Sequence, residues 1–355
     1  MNLGEALDTF TPSADLHDIE LFNEQYPSLT SFSLFNRTWQ LRPYALCVVI
    51  AVLCGLILLG LTSRRVRLKK GSVGTMAVLM LPLGLIFAHV FYVLASWAWF
   101  EYVGFDRAFL LWEGGYAMWG AIAGVALALL LASRILHERF SALADLCAAP
   151  MALVIALCRF AAYPFSGEGK GRLIEMETVL ARFPFAVQDD TGNWYWAVFI
   201  LEGTVALVIM LVLLLSRRGN GDKARLFLIL YGASQILCES LHGEDGKMLW
   251  HEFIRVPEIT SAFVLAVLAV FGVIRRSRKT ASDRLPTWRI TELLLLFVHG
   301  VGLALAMEFA KEKVPVLPVW ACYVIMTDGC VMIAYAACRL ALTSRIAQEK
   351  EASRL

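Results

Sequence analysis

Apolar residues run along this chain in long blocks. Runs of about 17 to 25, the length a helix needs to cross the hydrocarbon core of a bilayer, stand near 43–62, 73–99, 115–132, 142–163, 195–215, 226–241, 257–274, 289–308 and 318–338. The pattern predicts an all-α polytopic membrane helix bundle. Clusters of Lys and Arg fill alternate gaps: Ser63 to Lys70, Arg134 to Arg139, Ser216 to Arg225, Arg275 to Lys279, and a tail with Arg345, Lys350 and Arg354. By the positive-inside rule these gaps face the cytoplasm, which puts the N-terminus outside and the C-terminus inside. The remaining connections, 100–113, 164–194, 242–256 and 309–317, are then outward. Trp97, Trp99, Trp112, Trp119, Trp194, Trp196, Trp250 and Trp320 all fall near outward ends, as an interfacial aromatic belt would place them.

Composition points the same way, with 59% of 355 residues hydrophobic and 17% charged, well outside the range of soluble domains. The net charge of +2 resides in short clusters between apolar runs, which excludes a nucleic-acid-binding face. Cys47, Cys54, Cys147, Cys158, Cys238, Cys322, Cys330 and Cys338 lie inside apolar segments without metal or redox spacing, and read as small core residues. No cofactor or metal is expected. Residues 1–42 are polar, acidic and aromatic, with Pro12 and Pro27 and no signal-peptide pattern, and are expected to form an extracytoplasmic cap or tail. The long outward connection Phe165 to Asn193 mixes charges and aromatics, so it is either a cap over a site or a solvated link. The polar, basic stretch Phe271 to Pro286 divides a seven-span unit, 43–275, from residues 276–355, which hold a basic linker, two added spans and a cytoplasmic tail.

Ionisable residues inside the spans carry the candidate chemistry, because a charge facing lipid costs several kcal/mol and such groups turn inward toward partners, cavities or anionic substrates. Arg159 is the first of these. Glu202, two turns into its span, and Glu239, in the last turn of its own, stand at the depth of Arg159 and predict an Arg/Glu/Glu cluster beneath the outer surface. The alternative is simple pairing that holds helices together. Gln235 and Glu239 are spaced i, i+4, with Tyr231 one turn earlier, so that one helix face is a polar stripe that lines the interior, either at a site or as an interhelical hydrogen-bond seam. His89 and Tyr92 form either a titrating pair or a packing pair. Glu292 is a further ionisable residue in the added spans, where His299, Glu308 and Asp328 are expected to pair internally. Gly114-Gly115 can present N–H groups to an anion at a helix start, and Gly120 with Gly124 allows close helix approach.

Four motifs, in order, resemble those of prolipoprotein diacylglyceryl transferases. They are Trp112-Glu113-Gly114-Gly115 with Trp119-Gly120-Ala121 and Gly124, Ala144-Asp145 leading through Arg159 to Glu168, Leu201-Glu202, and Tyr231-Gly232 with Gln235 and Glu239. The likeness covers roughly residues 40 to 275. The chain departs from the family pattern where the family has a histidine (Trp119), an asparagine (Ala162), a second arginine (Gln235) and an arginine on the second span (His89). The resemblance implies thioether formation outside the membrane: a lipobox cysteine displaces the phosphate-linked headgroup of phosphatidylglycerol, which leaves diacylglyceryl on sulfur and releases glycerol phosphate. It implies Arg159, Glu202, Glu168 and Glu239 as catalytic residues, and His89, Tyr92, Gly114, Gly115, Trp119, Tyr231 and Gln235 as substrate-binding ones. Phosphatidylglycerol or another anionic phospholipid, a lipoprotein precursor peptide and the bacterial plasma membrane are the implied partners and location. Because the departures fall at catalytic positions, a non-catalytic phospholipid-binding or accessory protein is the alternative. A transporter is disfavoured by the lack of any repeat between halves.

Overall fold

The computed structural model describes residues 30–34, 37–64, 66, 69, 71–97, 100–101, 104, 107–109, 115–174, 180–189, 191–219, 221–242, 249–250, 254–277, 286–314 and 317–342. A hairpin of β1 (Thr30–Leu34) and β2 (Arg37–Leu41) leads into α1 (Pro43–Ser63), α2 (Ser72–Ala95), α3 (Met118–Leu136) and α4 (Phe140–Ser166). A second hairpin, β3 (Ala186–Gln188) with β4 (Trp194–Trp196), precedes α5 (Val198–Leu215) and α6 (Asp222–Leu241). A two-residue pair, β5 (Leu249–Trp250) and β6 (Ile254–Arg255), is followed by α7 (Val256–Ser277), α8 (Thr287–Lys313) and α9 (Val319–Ala341). Among the described residues nine helices are long and apolar enough to cross a membrane, and the chain is a multi-pass membrane protein.

Local chemistry explains the shifts in helix boundaries. Helix α6 starts at Asp222, about one turn before its apolar run, because Asp145 of α4 reaches across to its N-terminus. The Asp145 carboxylate accepts hydrogen bonds from the Gly221 N–H at 2.7 Å and the Ala224 N–H at 3.0 Å. Such a carboxylate satisfies N–H groups that the first helical turn leaves without partners and complements the helix dipole. Helix α5 starts later than its apolar run, since Trp194, Tyr195 and Trp196 pair as a strand with residues 186–188.

Helices α2 and α3 pack with backbones nearly touching: a Cβ at Gly120 would lie 2.3 Å from the Phe87 carbonyl oxygen, and one at Gly124 2.2 Å from that of Leu83. One apolar core is shared by α3 to α9, with Ala152, Ile155, Ile229, Tyr231, Leu265, Met326 and Ile333 buried together. A smaller core joins α1 to α4 through Leu59, Met76, Leu129 and Leu143. The two added helices therefore sit in the main core, with α9 against α6 and α7 and α8 against α9.

Residues 167–174 are stitched across the start of α5 and the end of α6. The Gly171 N–H donates to the Trp196 carbonyl at 2.7 Å, the Arg172 N–H to the Leu241 carbonyl at 3.1 Å, and the Phe199 N–H to the Gly169 carbonyl at 2.9 Å. This part of the long connection is held to the helix ends by backbone hydrogen bonds. The aromatic belt needs one correction. Trp97 and Trp320 are 52% and 70% exposed, but Trp119 is 5% exposed and belongs to the core. Trp99 and Trp112 lie outside the described residues, as do residues 1–29 of the expected N-terminal segment.

Candidate functional site

Helix α4 buries an alanine-rich face, Ala148, Ala149, Ala152 and Ala156, whose small side chains let α5 and α6 approach. Gly203 extends that approach along α4, because a Cβ there would lie 2.6 Å from the Phe160 ring. The close contact brings Arg159 to Glu202, with Nη1 to Oε2 at 3.2 Å and side chains 22% and 1% exposed. His242, at the end of α6, places Nε2 3.4 Å from the same Glu202 oxygen. The Gln235 amide donates to Glu202 Oε1 at 3.2 Å. Both carboxylate oxygens thus face donors, so Glu202 is arranged to fix the Arg159 guanidinium.

Glu239 is paired with Arg255, Oε2 to Nε at 3.1 Å. Single ligand atoms of Glu202, Glu239 and His242 lie within 4.8 Å of one another. Arg159 and Arg255 already neutralise these carboxylates, so the donor set suits an anion at the guanidinium better than a metal cation. Tyr231 is buried between Trp119 (5.4 Å between ring centroids, 57°) and Phe227 (5.7 Å, 8°), with its phenol in the field of Arg159, Glu202 and Glu239. Burial pulls the His242 imidazole down, but the Glu202 and Glu239 carboxylates outweigh it and hold His242 above its ordinary value of 6.5.

The structure gathers Arg159, Glu202, Tyr231, Gln235 and Glu239 into one cluster and distributes the other expected site residues around it. Glu168 is exposed just beyond the left-handed Gly167 that ends α4 (φ 72°), where Tyr44 and Tyr92 feel its charge. His89 is tied to the backbone, Nδ1 to the Gly115 carbonyl at 3.1 Å and Nε2 to the Ala108 carbonyl at 3.0 Å, so both polar atoms serve to join α2 to the following connection. Tyr92 lies flat against Gly115, whose φ of 77° and lack of a Cβ make room for the ring. Trp119 donates its indole N–H to Ser261 at 3.0 Å, which makes it a packing residue in contact with Tyr231. Gly114, together with Trp112 and Glu113, lies outside the described residues.

Sequence reasoning missed His242, Arg255 and Tyr44. His242 falls three residues beyond Glu239, a spacing that marks a shared helix face, but it stood in a stretch read as a loop. Arg255 was assigned to the same outward connection, and it reaches Glu239 because β6 turns directly into α7. Tyr44 opens α1 and enters the field of Arg159 through α1–α4 packing.

A second polar group adjoins the cluster and comes from the added helices. Lys311 of α8 forms an ion pair with Glu308 and donates to Ser240 Oγ at 2.7 Å and to the Ser240 carbonyl at 3.2 Å. Ser240 donates to Glu308 Oε2 at 2.6 Å, and the Tyr323 hydroxyl donates to the Ser240 carbonyl at 3.1 Å. Glu258 of α7 accepts from the Arg255 N–H at 3.4 Å and lies in the field of Glu308, Lys311 and Glu239. Glu308 therefore pairs across to α6 as well as within its own helix. His299 and Asp328 do not pair: both are exposed, and neither makes a hydrogen bond or ion pair among the described residues. An apolar cavity of 480 Å³ is lined by Phe160, Tyr163, Pro164, Phe183, Val187, Phe199 and Ile200.

These features define a multi-pass helical membrane protein with a buried ion-pair cluster near the start of α5 and the end of α6. The sequence profile described as prolipoprotein diacylglyceryl transferase matches residues 31–274, and the chain belongs to that family. A phosphatidylglycerol–prolipoprotein diacylglyceryl transferase of Oceanobacillus iheyensis is 24% identical over 250 residues, 68% of this chain and 85% of the relative. Proteins of the same name from Frankia alni (30% over 244 residues, 66% and 64%) and Bacillus velezensis (27% over 248 residues, 68% and 90%) are also similar.

Proposed function

We propose that this chain transfers diacylglyceryl from phosphatidylglycerol to the cysteine thiol of a lipoprotein precursor, in the plasma membrane of a bacterium, with its N-terminus outside and its C-terminus in the cytoplasm. Residues 43–275 supply the transferase unit, and 276–355 add two helices to it. The reading rests on one observation above the others: Arg159 is held by the buried Glu202 carboxylate at 3.2 Å yet keeps 22% of its side chain exposed. A guanidinium so fixed matches a phosphate in bidentate fashion.

In the proposed step the cysteine sulfur attacks the terminal glycerol carbon of the diacylglyceryl group. The carbon–oxygen bond to phosphate breaks, its electron pair leaves on the phosphate oxygen, and the products are a thioether and glycerol phosphate. Arg159 offsets the charge on the leaving phosphate, which is the role a preorganised cation plays in such a transition state. Glu202, Gln235 and His242 hold Arg159 in place, and Glu239 with Arg255 balances the charge behind it. Glu168, exposed at the mouth, takes the thiol proton. The cavity lined by Phe160, the next residue in the chain after Arg159, offers an apolar berth for acyl chains.

Full-length protein in vesicles with labelled phosphatidylglycerol and a lipobox peptide tests the proposal. Labelled diacylglyceryl is expected on the peptide, with glycerol phosphate released in equal amount, and its absence from well-folded protein overturns the reading. One observation favours a non-catalytic lipid-binding role: Gln235, where the family pattern has a second arginine, is a neutral donor to Glu202. That role predicts bound phosphatidylglycerol without product.

A further inference from the structure

The added helices carry a surface that the site does not use. His299 stands near the middle of α8 and Asp328 near the middle of α9, and both side chains are exposed. The two residues share one depth because the helices touch beside them. A Cβ at Gly300 would lie 2.7 Å from the Gly329 carbonyl oxygen, and a Cβ at Gly329 2.8 Å from that of Gly300. Among the described residues neither His299 nor Asp328 has a hydrogen bond or ion pair. Their flanks are apolar and outward, with Leu295 65% exposed and Val324 and Val331 each 60% exposed.

Ionisable side chains at the midplane of a bilayer face other protein or water far more often than lipid, and they pair. This face holds one basic and one acidic group at the same level. A second copy turned about a two-fold axis offers the mate of each, since in an isologous contact residue i meets j and j meets i. Gly302, on the exposed side of α8, has nothing within 4 Å of where its Cβ would stand, so another helix can approach its backbone closely. The region lies beyond the residues that the family profile matches, 31–274.

We infer that α8 and α9 are a self-association surface, through which two copies dimerise within the membrane. The His299 imidazole N–H donates to Asp328 of the partner subunit, and the partner's His299 donates to Asp328. Both groups then leave contact with lipid, and no residue of the Arg159 cluster is involved.

The test is energy transfer between donor- and acceptor-labelled full-length protein in vesicles of phosphatidylethanolamine and phosphatidylglycerol, over a series of protein-to-lipid ratios. Wild type is expected to follow a monomer–dimer isotherm. Asp328→Leu and His299→Leu are each expected to shift its midpoint about tenfold toward higher density, in line with a membrane hydrogen bond at each of two symmetric contacts. The exchange His299→Asp with Asp328→His restores self-association, whereas mixtures of exchanged and wild-type protein associate poorly because like groups then face each other. The exchanged protein keeps the test decisive should a leucine variant fail to fold. Monomers at every density, a dimer indifferent to these substitutions, or purified monomers that pair with a different membrane protein instead would each overturn the inference.

Discussion

Two sets of ionisable side chains lie within the spanning helices, and the bundle treats them oppositely. Around Arg159 the groups interlock: Glu202 meets Arg159 and Gln235 at 3.2 Å, and Glu239 meets Arg255 at 3.1 Å. On the outer face of α8 and α9, His299 and Asp328 stand exposed and without a partner among the described residues. Desolvation explains the contrast. A charge taken from water is tolerated when an opposite charge and hydrogen bonds surround it, so the inner set completes its pairing within one chain. The outer set needs groups from elsewhere. Helix α8 shows both treatments, because Lys311 and Glu308 near its C-terminal end are locked against Ser240 while His299 near its middle is not.

The sharpest way to break this contrast is to unpair an inner charge. Lys311→Ala leaves the buried Glu308 without its ion-pair partner and removes a cation from beside Glu258, and it is expected to cost about 3–5 kcal/mol of stability, read by denaturant titration in detergent micelles. The double variant Lys311→Met with Glu308→Gln removes both charges and recovers most of the loss. An unchanged midpoint in the single variant would show that Lys311 is not buried against Glu308.

Arg159→Ala is expected to lower diacylglyceryl transfer by about a hundredfold to a thousandfold, the usual effect of losing one preorganised contact to a developing charge. Phosphatidylglycerol binding should weaken with it. A variant that transfers at the wild-type rate would detach the phosphate from Arg159.

A smaller effect tests the packing that makes the inner pairing possible. Gly203→Val inserts a branched side chain where a single Cβ would already meet Phe160 at 2.6 Å, and overpacking of this kind costs about 1–3 kcal/mol. It should also separate Arg159 from Glu202, so transfer falls along with the thermal midpoint. Loss of stability at full activity would show that the two are not coupled through this contact.

The least effect is expected from pH. His242 has its value raised in the folded protein by Glu202 and Glu239, so its contribution to stability is fully present below the unfolded value of about 6.5 and is lost as pH rises through the folded one. The thermal midpoint of wild type is expected to decline as pH is raised through that window. His242→Gln should remove this part of the slope, and an identical profile for both proteins would exclude His242 as its source.

The chain's own pattern determined the number of spans and three members of the inner cluster. These are local properties. A run of apolar residues has the length to cross a bilayer or does not, and Arg159, Glu202 and Glu239 each stand out against apolar neighbours wherever their helices go. Helical spacing marked Tyr231 and Gln235 on the same face as Glu239 as well, though not what each would touch.

Tertiary structure alone decided the partners. Trp119 matches a family motif position, but α3–α7 packing gives its indole N–H to Ser261. Arg255 and His242 read as loop residues until the turn into α7 and the end of α6 carried them to Glu239 and Glu202. Glu308, His299 and Asp328 read alike as polar residues in apolar spans, and only the rotation of α8 and α9 about their axes sent Glu308 inward and the other two outward. Pairing between residues distant in sequence depends on how each helix is turned and how deeply it sits against its neighbours. Packing sets both, and a periodicity read one helix at a time does not contain them.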